Sequence, residues 1–224
     1  MKKLYTAIGI VLLICVAGTG VLLILSPDRV PMHYNFAGEV DRIGSKYENL
    51  IFPLISVAMG ATFLASGRHL QKKGNAANEK VLLTIGLCMV IFFTLMGFFI
   101  MVKAMRYDAS AAKPLTDDSI LKFVSIGIGV MMVVLGTILP KVRRNGVIGV
   151  RTKWSMANDA VWQKSQSFGG CAFVIAGLCM IALSLVLPGM WNLLMLLAVT
   201  IVASIACVAA SYRYYHADSD SQTK

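Results

Sequence analysis

VLLTIGLCMVIFFTLMGFFIMV, Val81 to Val102, contains no charged residue and no proline. At about 1.5 Å of rise per residue it makes roughly 33 Å of α-helix, the thickness of a bilayer's hydrocarbon core. A soluble helix would break this run with a polar face, because water has to be met on one side. A helix apolar all round is instead predicted to be surrounded by lipid and by other helices.

Working outward, five more runs have the same character: Leu4–Leu25, Leu50–Ser66, Ile120–Leu139, Phe168–Leu187 and Met190–Tyr212. The composition agrees, with 57% hydrophobic and 14% charged residues, where soluble domains carry about 25% charged. Pro53 lies near the start of its run, where a missing N–H costs no helical bond. Lys122 lies in a first turn, from which its amine can snorkel to the interface. Pro188-Gly189 leaves room only for a tight turn between the last two runs. The Leu4–Leu25 run is longer than the apolar core of a secretory signal and lacks a small-residue cleavage pattern, so an uncleaved first helix is expected. The expected fold class is therefore all-α: a polytopic bundle of six transmembrane helices.

Orientation follows from the basic residues. Numbering the connections alternately, 14 of the 21 Lys and Arg fall on the side of the N-terminus, the 67–80 segment, the 140–167 segment and the tail, and 7 on the other. The first side carries 4 of the 11 acids and the second 7, so the whole formal charge of +10 belongs to one side. Both termini are expected on the cytoplasmic side of the membrane. The charge reads as topology and as contact with anionic lipids, not as a nucleic-acid surface.

Several function classes lose support. The centres of the runs hold no Asp, Glu, Lys, Arg or His, which ion-coupled carriers place near the midplane. His33, His69 and His216 lie in different segments, without H-E-x-x-H or paired-cysteine spacing, so no metal site is expected. No nucleophile elbow or phosphate-binding loop appears, and neither catalytic residues nor a cofactor are predicted. Cys15, Cys88, Cys171, Cys179 and Cys207 all fall in apolar runs and read as small buried hydrophobes. Cys171 and Cys179, eight apart, are expected on one packing face. Gly18-x-Gly20, Ser56-x-x-x-Gly60, Gly127-x-Gly129 and Ala172-x-x-x-Ala176 supply small residues for close helix approach.

Two connections are too rich to be spacers. The first, Ser26 to Pro53, combines Pro31, His33, Tyr34, Asn35, Phe36, Gly38, Asp41 and Lys46, with a turn expected over Asn35–Gly38. It reads either as an ordered interfacial cap or as a ligand-recognition element. The second, Pro140 to Ser167, has Lys141, Arg143 and Arg144 as anchors, the Asn145-Gly146 turn and the strip Val147–Val150. Arg151, Thr152 and Trp154 follow, and Ser155 is a candidate N-cap for a short helix from Met156. On that helix the Trp162 ring is expected in the membrane interface, and Gly169-Gly170 would admit the chain to the fifth span. As a site, this connection offers cations and tryptophans to a soluble partner or to headgroups.

The second connection resembles the pattern of the SdpI family of bacterial membrane proteins, roughly N-x-x-I-G-x-R-T-x-W-[ST], a later tryptophan, and Gly-Gly seven residues on. Asn145, Ile148, Gly149, Arg151, Thr152, Trp154, Ser155, Trp162, Gly169 and Gly170 occupy those positions, while Gln166 stands where many relatives have histidine. The outer connection is similar to a module that often accompanies the family, P-x-H-[aromatic]-N-x-x-G-x-x-D-x(4)-K, through Pro31, His33, Tyr34, Asn35, Gly38, Asp41 and Lys46. The resemblance implies an N-terminal membrane module over 1–112, an SdpI-like module over 113–212 and a polar tail over 213–224. It also implies a non-enzymatic immunity protein that protects against a secreted antimicrobial peptide, and a receptor that recruits a transcriptional repressor to the membrane. The outer connection would recognise the peptide and the cytoplasmic one the repressor. A transporter or flippase-like protein for an amphipathic molecule, with Arg151 as anion contact, is the alternative. A third reading is a membrane enzyme using Arg151, Asp159 and a loop tryptophan around a lipid phosphate.

Overall fold

The computed structural model describes residues 1–35, 39–107 and 119–222. Six long helices, α1 (Lys2–Leu25), α2 (Ile51–Lys72), α3 (Ala76–Met105), α4 (Ser119–Ile138), α5 (Asp159–Val186) and α6 (Gly189–Gln222), are each long and apolar enough to span a bilayer. Their outward faces are bare: Ile24 is 82% and Val186 78% exposed. In water such surface would drive aggregation, and in a bilayer it meets acyl chains. The protein is an all-α polytopic membrane bundle.

Four of these helices are longer at one end than their apolar runs. α2 continues to Lys72, α3 begins at Ala76, α5 begins at Asp159 and α6 runs on through Gln222. Hydropathy marks only the lipid-matched part of a helix, whereas backbone bonding continues until a cap intervenes. Gly74 (φ +68°) makes the turn after α2. The Asn75 side chain then accepts from the Asn78 N–H at 3.2 Å, capping α3. At the far end of α5 the turn passes through Gly189, φ +36°. There the buried Asn192 amide donates to the Ser184 and Leu187 carbonyls at 3.2 and 3.3 Å, closing the frayed end of the helix.

Residues 29–45 hold a β-hairpin that the apolar runs do not announce, while the turn expected over Asn35–Gly38 falls on residues 36–38, outside the described residues. β1 (Arg29–Tyr34) and β2 (Val40–Ser45) pair antiparallel, with Val30 opposite Gly44 and Pro31 opposite Ile43. The register shifts between Pro31 and Tyr34, and in a two-stranded ribbon each strand is an edge, where proline is tolerated. Glu48 closes the hairpin onto α2, its carboxylate accepting from the Ser45 N–H at 2.9 Å and pairing with Arg42 at 2.9 Å. β1 also packs against α3.

Packing divides the helices into α1 with α2 and α3, and α4 with α5 and α6, with a lighter contact between α3 and α4. The closest approach joins α4 to α5. A Cβ placed on Gly136 would lie 2.6 Å from the Gly170 carbonyl oxygen, and one on Gly129 2.9 Å from that of Gly177. Two antiparallel glycine pairs, each set seven residues along its helix, thus let the backbones touch. Gly170 belongs to this seam, and Gly169 faces Val150. Both lie inside α5 and not at its entry, which corrects the reading of the pair as the point where the chain enters a span. Gly127 faces Phe92 of α3, and Gly18 faces Phe98. Cys171 and Cys179 do share a face of α5, but it is an exposed one. They line a shallow apolar groove against α6.

Candidate functional site

The two groups of residues singled out by sequence lie at opposite ends of the bundle. Contacts across the chain define the basic end. The Tyr5 hydroxyl donates to Glu79 Oε1 at 3.2 Å, the Asn78 amide to the Arg143 carbonyl at 3.4 Å, and the Asn158 amide to Asp218 Oδ2 at 2.8 Å. The N-terminus, the α2–α3 turn, the α4–α5 connection and the final turns of α6 therefore meet there. Glu79, which the sequence marks only as one of the four acids of this side, is 2% exposed. It lies in the first turn of α3, where the helix dipole favours a carboxylate.

At this end, residues 139–158 form a compact cap built from side-chain bonds to the backbone. Asn145 Oδ1 accepts from the N–H groups of Val147 and Ile148 at 2.7 and 2.8 Å, and its amide donates to the Arg143 carbonyl at 2.7 Å. That is an Asx turn, and it aims the strip 147–150 back towards the membrane. Gly149 follows with φ +116°, a conformation that L side chains avoid. A Cβ there would also strike the Gln166 amide oxygen at 2.6 Å. Thr152 and Ser155 bond reciprocally: the Thr152 N–H donates to Ser155 Oγ at 2.9 Å and the Ser155 N–H to Thr152 Oγ1 at 3.0 Å. Thr152 Oγ1 also meets the Ser211 hydroxyl of α6 at 2.8 Å.

Ser155 therefore staples a turn and does not cap a helix. The N-cap is Asn158, whose Oδ1 accepts from the Val161 N–H at 2.9 Å, and α5 runs unbroken from Asp159 into the membrane. No separate helix begins at Met156. Arg144 locks the junction, donating to the Met156 and Ala157 carbonyls at 3.0 and 3.2 Å and pairing with Asp159 at 2.7 Å.

Trp162 is not interfacial. It is 2% exposed and packs with Val81 and Leu82 of α3 and with Val142 and Ile148 of the connection. Its indole N–H donates to the Val142 carbonyl at 2.8 Å, so the buried polar atom is satisfied. Trp154 does lie near the surface, edge-on to Tyr212 of α6 at 5.1 Å with the Lys153 amine 5.1 Å above its ring. Arg151 is exposed and makes no hydrogen bond or ion pair with any described residue. Of the predicted residues here, Asn145, Gly149, Thr152 and Ser155 build the cap, Trp162 and Gly169 pack against it from α5, Gly170 belongs to the α4–α5 seam, Arg151 is exposed and Trp154 is half-buried.

Sequence reasoning passed over Gln166 as a departure from a pattern. It is fully buried, and its amide grips Val150 twice: Oε1 accepts from the Val150 N–H at 2.8 Å and Nε2 donates to its carbonyl at 3.0 Å. The signal available was its position, four residues after Trp162 on the same helix face. Gln166→Leu should leave the Val150 N–H without its partner, at a cost of about 1–3 kcal/mol. Limited proteolysis with trypsin should then cut at Arg151 several-fold faster, while unchanged protection would remove the clamp from this account.

At the opposite end, His33 Nδ1 lies 2.6 Å from Asp41 Oδ1 across the hairpin, both side chains exposed. Asn35 donates from its amide to Glu39 Oε2 at 3.0 Å and accepts from the Glu39 N–H at 3.0 Å. Lys46 is the hairpin's anchor: its amine reaches the Ser26 carbonyl at 3.2 Å and Asp28 at 3.1 Å, tying β2 to the end of α1. Pro31 is buried at the base and Tyr34 half-buried opposite Val40. Gly38 and Phe36 lie outside the described residues, as does the predicted boundary between residues 112 and 113.

Among the described residues no cluster of His, Cys, Asp or Glu could hold a metal ion. Both ends offer exposed polar side chains beside half-buried aromatic ones, Arg151 with Trp154 and His33 with Tyr34, held on well-bonded frames suited to recognition.

Comparison with known proteins covers both ends. The SdpI/YfhL protein family matches residues 141–211, spanning the cap, α5 and most of α6. A domain of unknown function, DUF1648, matches residues 10–57, from α1 through the hairpin into α2. The chain is 21% identical over 189 residues to the Immunity protein SdpI of Bacillus subtilis (strain 168), an alignment covering 84% of each protein. No solved structure matches it. With six helices long and apolar enough to span a membrane and the matched cap at the basic end, the chain is a membrane protein that carries an SdpI family region over residues 141–211.

Proposed function

We propose that this protein is a non-enzymatic immunity protein, which protects the cell that makes it from a secreted antimicrobial peptide. The observation that carries the reading is the likeness to an immunity protein along 84% of both chains. In this reading the basic end faces the cytoplasm of a bacterial inner membrane, as the distribution of Lys and Arg favours. The two helix groups act as modules, the first ending in the α3–α4 connection and the second beginning there.

The hairpin is the capture element. Its exposed His33 and Asp41, with the half-buried Asn35, stand on a ladder tied down by Lys46, so little ordering entropy opposes binding. A peptide approaching from outside meets this surface before it can enter the bilayer. The cap is the output element, where Arg151 and Trp154 are offered to a cytoplasmic transcriptional repressor on a frame held by the Asn145, Thr152 and Ser155 bonds. The connection between the ends is α3, which touches β1 at one end and packs under Trp162 at the other.

The test is survival. The intact chain, expressed in a peptide-sensitive bacterium, is expected to raise tolerance to at least one secreted antimicrobial peptide in a panel. His33→Ala with Asp41→Ala should remove that tolerance at unchanged membrane abundance. Arg151→Ala with Trp154→Ala should keep tolerance but lose membrane recruitment of the repressor. No tolerance to any peptide, with measurable flux of an amphipathic substrate, would replace immunity by transport.

A further inference from the structure

Between the two helix groups, directly beneath the 147–152 strip, lies a cavity of about 520 Å³. Phe63 of α2, Ile85 of α3, Leu135 of α4 and Phe173 of α5 line its depth. Ser204 and Cys207 of α6 form one wall, and Arg151 stands at the rim. We propose that this cleft holds an acyl chain of an anionic phospholipid from the leaflet at the basic end, with the lipid phosphate on the Arg151 guanidinium.

The lining selects the occupant. A peptide segment entering the cleft would carry backbone amides into it, each needing a partner at a cost of several kcal/mol if none is found. The cleft has almost none to give. The Ser204 hydroxyl is already donated to the Thr200 carbonyl at 2.8 Å, and Thr152 Oγ1 is engaged with Ser211 at 2.8 Å. The other lining side chains are aliphatic or aromatic, apart from the Cys207 thiol and the Arg151 guanidinium. A hydrocarbon chain asks for no hydrogen bond and fills such a space by dispersion alone.

The rim selects the headgroup. Arg151 alone among the lining residues carries a charge, and it has no partner among the described residues. A guanidinium matches the paired oxygens of a phosphate, and basic pockets between transmembrane helices are suited to anionic headgroups. The cap explains why the cation is held there: the Gln166 clamp on Val150 and the Thr152–Ser155 bonds fix the residues on either side of Arg151. The proposal is independent of what the hairpin binds, but a lipid phosphate on Arg151 competes with the repressor proposed for the same residue, and lipid retention measured on the chain alone separates the two.

The experiment is native mass spectrometry of the full chain in detergent, with added dioleoyl-phosphatidylglycerol or dioleoyl-phosphatidylcholine. Retention of the glycerol lipid over the choline lipid by about fivefold is expected, the share of one cation near a headgroup. Arg151→Gln should erase the preference. Ser204→Phe, an exposed position whose ring would fill the cleft, should lower retention of both lipids. Lys153→Gln, a neighbouring exposed cation that does not line the cleft, should leave the preference intact. Circular dichroism of each variant, with unchanged helical content expected, separates lost binding from lost folding. Equal retention of the two lipids by the intact chain would overturn the proposal, as would an equal effect of Lys153→Gln and Arg151→Gln. Inorganic phosphate displacing the lipid at equal concentration would show a headgroup site without a chain site. A dimer lost on Ser204→Phe while lipid retention is unchanged would assign the cleft to a second copy of the chain instead.

Discussion

Gly136→Val is expected to part α4 from α5 and to leave little folded protein in the membrane. The Cβ that even alanine would bring lies 2.6 Å from the Gly170 carbonyl oxygen and 2.9 Å from the Val174 nitrogen. Both are backbone atoms of a facing helix, so no side chain can swing aside. Relief must come from moving a whole helix, and the paired contact at Gly129 and Gly177 is lost with it. Overpacking typically costs about 1–3 kcal/mol, and a rigid backbone obstacle places this site at or above the upper end. Within a bilayer the loss is felt in full, because close packing and not water exclusion holds spans together. The internal control is Gly20→Ala. Nothing lies within 4 Å of a Cβ there, so only the helix-propensity term acts, a gain of about 0.5–1 kcal/mol. The same class of substitution should therefore have opposite signs at the two positions. Denaturant titration followed by circular dichroism reads both, and equal effects would remove the glycine seam.

Trp162→Ala is expected to destabilise the protein by about 3–5 kcal/mol, the cost of emptying a large buried aromatic site. The ring is 2% exposed and joins Val81 and Leu82 of α3 to the cap, so the loss should concentrate at the basic end. Trp162→Phe divides the effect. It retains most of the apolar volume but leaves the Val142 carbonyl without its indole donor, for about 1–3 kcal/mol. If the ring lay in the membrane interface, both variants would cost well under 1 kcal/mol. The combination of unfolding free energies and trypsin sensitivity of the 139–158 cap distinguishes the cases.

These two positions also mark where reading by sequence succeeds and where it stops. The six spans were legible because lipid imposes one simple requirement, about 20 apolar residues per crossing. Their ends at the basic side were not, since a helix continues past its apolar part until a cap stops it. Ser155 and Asn158 are both acceptable N-caps by residue type. Only the reciprocal bonds between Thr152 and Ser155 assign Ser155 to a turn and leave the capping to Asn158. Once α5 begins at Asp159, Trp162 is carried into the core on its first turn. The glycines were visible as small residues, but which neighbour each faces is a tertiary fact: Gly129 meets α5 while Gly127, two residues away, meets Phe92. The hairpin escaped because Pro31 and a shifted register interrupt the alternation that marks a strand. Gln166 was read as a missing histidine, whereas its two-headed amide can donate to and accept from one residue at once.

The measurement that bears most directly on a two-sided immunity protein is thiol labelling of a cysteine-free chain in intact cells. Glu39→Cys, in the hairpin, should react with a membrane-impermeant maleimide added outside. Ala157→Cys, in the cap, should react only after the membrane is opened. Labelling of the cap and protection of the hairpin in intact cells would invert the protein and contradict the assignment of capture to the hairpin and output to the cap.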